Sequence, residues 1–317
     1  MSPGSKTRAA FGEKRKLAGK SRTLWQRARI VQAIRSFFME RGYLEIETPS
    51  LIPAPAPERH IDLVTAGDLL LHPSPELCMK RLLAAGYPKL FQICKVYRGH
   101  ERGERHLPEF TLLEWYRAGL DYRALMEECE EMLLFVAHAV GLGDTISYGG
   151  GQIHLKSPWM RMTLEDAFRR YAPCTLSESL DSNRFDEIMV AEIEPQLGGG
   201  QPLFLCEYPA SMASLARLKE GNPAVAERFE LYVGGLELAN AFSELVDPVE
   251  QRKRFELEQA ERDRHGKPAY PLPHKFLSAL DHMAPSAGIA LGVDRLVMLL
   301  TGKTEIDEVV CFTPEDL

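Results

Sequence analysis

Residues 96–116 read VYRGHERGERHLPEFTLLEWY. Two apolar, strand-like runs close on a centre that holds Arg98, His100, Glu101, Arg102, Glu104, Arg105 and His106. The first run begins upstream in KLFQICKVYR and the second covers Glu109 to Tyr116, so the pattern predicts an antiparallel hairpin with a long, charged tip. Tips of that length are uncommon unless they hold something. Arg98 closes the first strand and points toward the tip, where a guanidinium can grip a phosphate through two hydrogen bonds. An arginine paired with Glu101 or Glu104 is the alternative.

On the N-terminal side, Trp25, Ala28, Val31, Ile34, Phe37 and Phe38 recur at helical spacing between Leu24 and Arg41, and Gly42 stops the helix. YLEIETPSL is a short strand running into Pro49, which cannot donate to a sheet and marks an edge or an interface. Pro53, Pro55 and Pro57 make a loop. SPELCMKRLLAAG predicts a helix from Pro75 with Ser74 as its cap. After the hairpin a helix runs from about Tyr122 to Val140. The middle, 141–202, offers a helix start at Thr163 with Asp166 and two glycine turns, neither followed by the lysine and hydroxyl residue of a phosphate loop. Strands follow near 203–208, 228–234 and 236–246, then a charged helix over 249–265 and a strand GIALG leading into the helix VDRLVMLL. Consecutive strands outnumber crossover helices, so an α+β fold with a mainly antiparallel sheet flanked by helices is expected.

The chain has 317 residues, 45% of them hydrophobic, enough for one large core. Its net charge of -7 is uneven. Residues 1–22 carry seven Lys or Arg against Glu13 alone, giving +6 and leaving -13 for the rest. That segment is read as a basic, disordered arm, with 23–317 as the folded domain. No stretch reaches the ~18 apolar residues of a membrane span and no signal peptide is evident, so a cytoplasmic protein is expected. Six scattered cysteines, Cys78, Cys94, Cys129, Cys174, Cys206 and Cys311, show no zinc or disulfide spacing and are read as reduced packing residues.

Two further places combine charge with apolar surroundings. In GGLELANAFSELVD, Glu237, Asn240 and Glu244 interrupt an apolar strand, and half-buried carboxylates must be paired or bind a cation such as nucleotide-bound magnesium. Residues seven apart on a strand face opposite ways, so Glu237 and Glu244 share a face only if a bulge lies between them, which Ala239 and Ala241 would tolerate. In GIALGVDRLVMLL, Arg295 falls in the first turn of a helix, where a cation opposes the dipole by ~0.3–1 kcal/mol unless an anion binds there. Gly292 admits a ligand to the backbone and to free N–H groups suited to phosphate. Pairing of Arg295 with Asp294 or another acid is the alternative.

Together, GYLEIETPSL, VYRGHERGERHLPEFTLLEWY and GIALGVDRL resemble motifs 1, 2 and 3 of class II aminoacyl-tRNA synthetases, in order and at suitable distances. SPELCMKRLL, the RH and PEFT pieces of motif 2, EWY, the YPAS stretch with its SLAR continuation, and ELANAFSEL resemble the lysine subgroup from about residue 23 to the C-terminus. Motif 1 starts near residue 42, too early for an anticodon-binding barrel to precede it. The length, EWY, DPVEQRKRF and Ala290 resemble the truncated paralogues that ligate lysine or (R)-β-lysine to elongation factor P.

The resemblance implies a class II synthetase catalytic core that uses ATP and Mg2+, and a homodimer built through motif 1. It implies that Arg98 holds the ATP α-phosphate, that Phe110 stacks under adenine, and that Arg295 covers the other face and reaches the γ-phosphate. Glu237 and Glu244 would bind magnesium, with Leu238 and Gly292 lining the nucleotide. Ser74, Pro75, Glu76, Glu114, Tyr116 and Glu244 would face the amino acid. The family's glutamate two residues after the arginine is replaced by His100, with Glu101 beside it, and the asparagine after RH is Leu107. The implied product is an acyl-adenylate whose acyl group passes to a lysine of elongation factor P, with tRNA not expected as a partner. Two other outcomes stay open: an activating enzyme with another acceptor, and a paralogue that binds amino acid or nucleotide without turnover.

Overall fold

In the computed structural model, which describes residues 14–317, an eight-stranded sheet forms the frame. Its strands are β1 (Leu44–Glu45), β2 (Lys89–Tyr97), β3 (Glu109–Ala118), β4 (Met160–Thr163), β5 (Leu203–Cys206), β6 (Arg228–Val233), β7 (Leu236–Ser243) and β8 (Ser286–Gly292). They lie in the order β1-β2-β3-β8-β7-β6-β5-β4. The pairs at the two ends, β1 with β2 and β5 with β4, are parallel, and every pair between them is antiparallel. The expected α+β fold with a mainly antiparallel sheet is what forms.

The hairpin from β2 to β3 is registered from Lys89 opposite Arg117 to Tyr97 opposite Glu109, so the charged tip begins at Arg98. Side chains alternate along β3. Leu113 and Trp115 enter a core with α1 (Ser21–Glu40), α3 (Tyr122–Ala139) and α5 (Val293–Thr301), while Phe110, Leu112, Glu114 and Tyr116 face the other side. In α1, Ile30, Ile34, Phe37 and Phe38 supply the buried stripe, and Gly42 at φ +74° makes the left-handed turn out of the helix. On the opposite face α2 (Glu76–Ala84) and α4 (Pro248–Arg264) enclose a smaller apolar cluster around Met79, Leu83, Tyr116 and Phe255. Asp121, not foreseen as a cap, accepts from the N–H groups of Arg123 and Ala124 at the start of α3.

Three expectations change in detail. Residues 1–13 of the expected basic arm lie outside the described residues, but residues 14–19 are helical and α1 starts at Ser21. Lys16 pairs with Asp316 and Lys20 donates to the Val310 carbonyl at 3.1 Å, so acids and carbonyls of the C-terminal segment order this stretch. Ser74 does not flank the helix as its cap; its hydroxyl accepts from the Glu76 N–H at 3.0 Å, one position further out, with Pro75 between. The strand expected in YLEIETPSL breaks at Pro49 into β1 and a separate short strand at Leu51–Ile52. Among the described residues no helix is long and apolar enough to cross a membrane.

Candidate functional site

A cavity of about 530 Å³ opens on the sheet face between the hairpin tip, β7 and the start of α5. Arg98, His100, Glu101 and Phe110 line it from the hairpin, Glu237 and Leu238 from β7, and Gly292 and Arg295 from the junction of β8 with α5. A second cavity of about 140 Å³ continues from it and is lined by Ser74, Glu76, Glu114 and Tyr116. Pro75 lies outside both, against a small third cleft.

Arg98 has little to hold it. Its guanidinium stands 5.2 Å over the Phe110 ring, its nearest acid is Glu101 at 4.0 Å, and its buried Nε has no partner. A half-buried cation whose Nε lacks a partner is ready for an anion. Arg295 is fixed more firmly. Its Nη1 donates to the Glu237 carbonyl at 2.7 Å and to the Glu237 carboxylate at 3.2 Å, and its Nη2 lies 2.6 Å from His106 Nε2. The alternative of an acid partner is met by Glu237 and not by Asp294, which accepts from Thr111 N at 2.7 Å and pairs with Arg27 at 2.5 Å. Burial, and then the Arg295 charge, push His106 down to about 4, so a neutral imidazole accepts from the guanidinium.

The tip that carries these groups is tied down at its far end. Arg102 binds Asp307 at 2.9 Å and Glu315 at 3.0 Å, and Ile306 N donates to the Glu104 carbonyl at 2.8 Å. His100, at φ +65° in a left-handed turn, lines the cavity mouth. Leu107 is buried in the main hydrophobic cluster, so it serves packing rather than polar recognition.

The strand β7 contains the anticipated irregularity. Tyr232 of β6 opposes Glu237 and Leu231 opposes Ala239, which leaves Leu238 as the extra residue of a bulge. The bulge puts Glu237 on the face shared by Asn240, Phe242 and Glu244, yet the two glutamates have different surroundings. Glu237 meets Arg295, whereas Glu244, 1% exposed, is bound by Lys80 of α2 behind the second cavity. Among the described residues no group of three His, Cys, Asp or Glu forms a ready metal cluster.

The second cavity carries three glutamates, Glu58, Glu76 and Glu114, against two arginines. Glu114 accepts from Ser74 Oγ at 2.6 Å and from Tyr116 Oη at 2.8 Å, and Glu76 binds Lys80 at 2.6 Å. Burial, reinforced by Glu76, pushes the Glu114 carboxyl up to about 8. Burial likewise pushes Glu244 up, against the pull of Lys80. Gly288 lets this packing exist, since a Cβ there would fall 2.2 Å from the Tyr116 ring and 2.5 Å from a Glu244 oxygen. Sequence reasoning missed Lys80, His106, Arg228 and Glu58. Lys80 lies on the buried face of a helix already predicted, and a lone lysine there was the available signal.

The sequence profile described as tRNA synthetases class II (D, K and N) matches residues 15–316. A lysine–tRNA ligase of Moorella thermoacetica is 38% identical over 90% of this chain, and the chain spans 64% of that protein's length. Elongation factor P–(R)-beta-lysine ligases of Pseudoalteromonas translucida and Edwardsiella ictaluri are each 39% identical over 92% of this chain and 94% of their own. With motifs 2 and 3 lining one cavity, and with matches of that extent, the chain belongs to the class II tRNA synthetase family.

Proposed function

We propose that this protein activates lysine or (R)-β-lysine with ATP and transfers the acyl group to a lysine side chain of elongation factor P. One observation carries the reading: a cavity holding a loosely paired guanidinium, its buried Nε without a partner, opens into a second cavity lined by Glu76 and Glu114. The names of the relatives that match along nearly their whole length support the acceptor.

An amino acid with two ammonium groups meets Glu76 and Glu114 in the second cavity, which directs its carboxylate toward the shared opening. There the carboxylate oxygen attacks the α-phosphorus in line, pyrophosphate leaves, and an acyl-adenylate remains. Arg98 bears on the α-phosphate, where negative charge builds, and Phe110 offers a face to adenine. Arg295, steadied by His106, reaches the outer phosphates. Such a step depends on positioning and charge neutralisation rather than on a side-chain nucleophile. Magnesium typically takes one or two carboxylates and completes its shell with phosphate oxygens, so Glu237 fits as its protein ligand. The ion would supply charge neutralisation of the polyphosphate. Glu244, engaged with Lys80, fits the amino-acid side of the site better.

Pyrophosphate exchange across a panel of cationic amino acids is expected to respond to lysine or β-lysine, followed by a mass gain of one such residue on elongation factor P. Absence of exchange with every amino acid defeats the enzyme reading. Acylated tRNA beside unmodified elongation factor P redirects the acceptor, the outcome that the lysine–tRNA ligase relative would suggest.

Ligand binding should also move protons. Glu114, at about 8 in the empty site, ionises fully when an ammonium group faces it. At pH 7 the free protein therefore holds protons that the complex releases, and lysine affinity rises between pH 6 and pH 8. Calorimetry in buffers of different ionisation enthalpy reads that release; a heat independent of buffer contradicts it. Trp25 and Met39 on α1, 70% and 62% exposed, and the exposed Leu44 and Leu51 of the motif 1 segment are apolar side chains that a homodimer would cover. A solution mass of one chain at micromolar concentration would overturn that pairing.

A further inference from the structure

The two cavities share six lining residues: Glu58, Arg98, Leu112, Arg228, Asn240 and Ala290. An acyl-adenylate spanning both places its reactive carbonyl among them. Arg98 and Arg228 are cations, Leu112 and Ala290 are apolar, and the Asn240 side-chain oxygen already accepts from Arg228 at 3.0 Å. Glu58 is the carboxylate at this junction.

Glu58 lies in the loop between β1 and α2, and the fold fixes that loop at several points. Arg262 of α4, 0% exposed, donates to the Glu58 and Ile61 carbonyls, each at 2.8 Å, and packs 4.2 Å over the Tyr270 ring. Neighbouring Arg59 is committed to Glu258 at 2.5 Å. The Gly99 N–H at the hairpin tip donates to the Asp62 carbonyl at 2.6 Å, and a Cβ on Gly99 would stand 3.1 Å from that oxygen. A buried arginine spent on backbone carbonyls is a costly way to hold a loop unless the loop must present something.

We propose that Glu58 is the base for the second half-reaction, taking a proton from the ammonium of the acceptor lysine so that the amine can attack the acyl-adenylate. This rests on the adenylate chemistry proposed above. An ammonium becomes an amide by losing two protons. The first passes to Glu58 and frees the nitrogen lone pair. That pair then forms the C–N bond, the bond from the carbonyl carbon to the adenylate oxygen breaks, and AMP departs. The second proton leaves on the AMP phosphate, and Glu58 returns its own to solvent between turnovers. Several charged groups face Glu58: Glu76 from α2, Arg98 from the hairpin, Arg228 from β6 and Glu258 from α4. Burial and then Glu76 push it up to about 7, nearer to an amine than an ordinary carboxylate and so better matched to the transfer.

Single-turnover transfer from preformed adenylate tests this, with Nα-acetyl-lysine amide as the amine and hydroxylamine, unprotonated at pH 7, as a nucleophile that needs no base. Glu58→Gln should slow transfer to the lysine amide by ~100-fold, while pyrophosphate exchange and hydroxylamine trapping fall by less than about tenfold. The wild-type transfer rate should level off above about pH 7, whereas the variant's should keep rising toward the amine's own pKa. Transfer and trapping that fall together, or a variant that keeps the wild-type levelling, would overturn the assignment. A wild-type protein that acylates the lysine amide but not elongation factor P removes the proposed acceptor and leaves Glu58 to be judged by the same comparison.

Discussion

Replacing Arg98 with alanine is expected to slow lysine-dependent pyrophosphate exchange by roughly 1,000-fold, about 4 kcal/mol of transition-state stabilisation. The size follows from what the guanidinium lacks in the empty site. Its Nε is buried without a partner and its nearest carboxylate is 4.0 Å away, so most of its hydrogen-bonding capacity is reserved for a ligand. Charge develops at the α-phosphate during attack, and a positioned cation in a partly dry cavity acts there at full strength. Stability should change little, because the residue contributes a loose ion pair and one ring contact to the fold. Arg98→Lys should recover only a small part of the rate, since an ammonium cannot reproduce the planar two-point grip. The proton release that accompanies lysine binding should persist in the alanine variant, because Glu114 lies beyond the junction. Exchange within tenfold of wild type at saturating ATP would show that the guanidinium does not bear on the reacting phosphate.

Local chemistry made the hairpin, the bulge and the helix starts legible. Alternation along β3 separates Leu113 and Trp115 from Leu112, Glu114 and Tyr116, and a strand pattern carries that information directly. The bulge at Leu238 was demanded by the spacing of Glu237 and Glu244, since without it the two could not share a face. What stayed hidden depends on partners distant in the chain. Lys80 meets Glu244 across 164 residues, and Arg27 takes Asp294 across 267, so neither pairing leaves a local signature. The expected magnesium pair illustrates the consequence. Sequence could bring two carboxylates to one face, but only the packing of α2 decided that one of them is neutralised by a lysine. Glu58 was missed for a related reason: among Pro53, Pro55 and Pro57 it reads as a solvated loop charge, and its main chain is held by Arg262 two hundred residues later.

Lys80 is the site's main structural liability, and its replacement by methionine is expected to destabilise the protein by about 3–5 kcal/mol, a value typical of breaking a buried ion pair from one side. The ammonium is 1% exposed, binds Glu76 at 2.6 Å and Glu244 directly, and lies 4.9 Å over the Phe242 ring. Methionine fills the volume but leaves Glu244 without its neutralising charge. The dependence on pH has a definite sign. An unpaired buried carboxylate has a folded-state pKa raised further above its unfolded value, so stability is retained at low pH and lost as pH rises through the folded pKa. The variant's deficit should therefore be largest at neutral pH and above, and should shrink toward pH 5, where Glu244 can be buried as the neutral acid. Adding Glu244→Gln to Lys80→Met should recover most of the loss, because the second change removes the orphaned charge rather than adding a new defect. Denaturant unfolding of the two variants and the wild type at pH 5 and pH 7.5 measures all of this. A single variant as stable as wild type at pH 7.5 would mean that Glu244 is already protonated beside Lys80, and the acidity attributed to the second cavity would then rest on Glu76 and Glu114 alone.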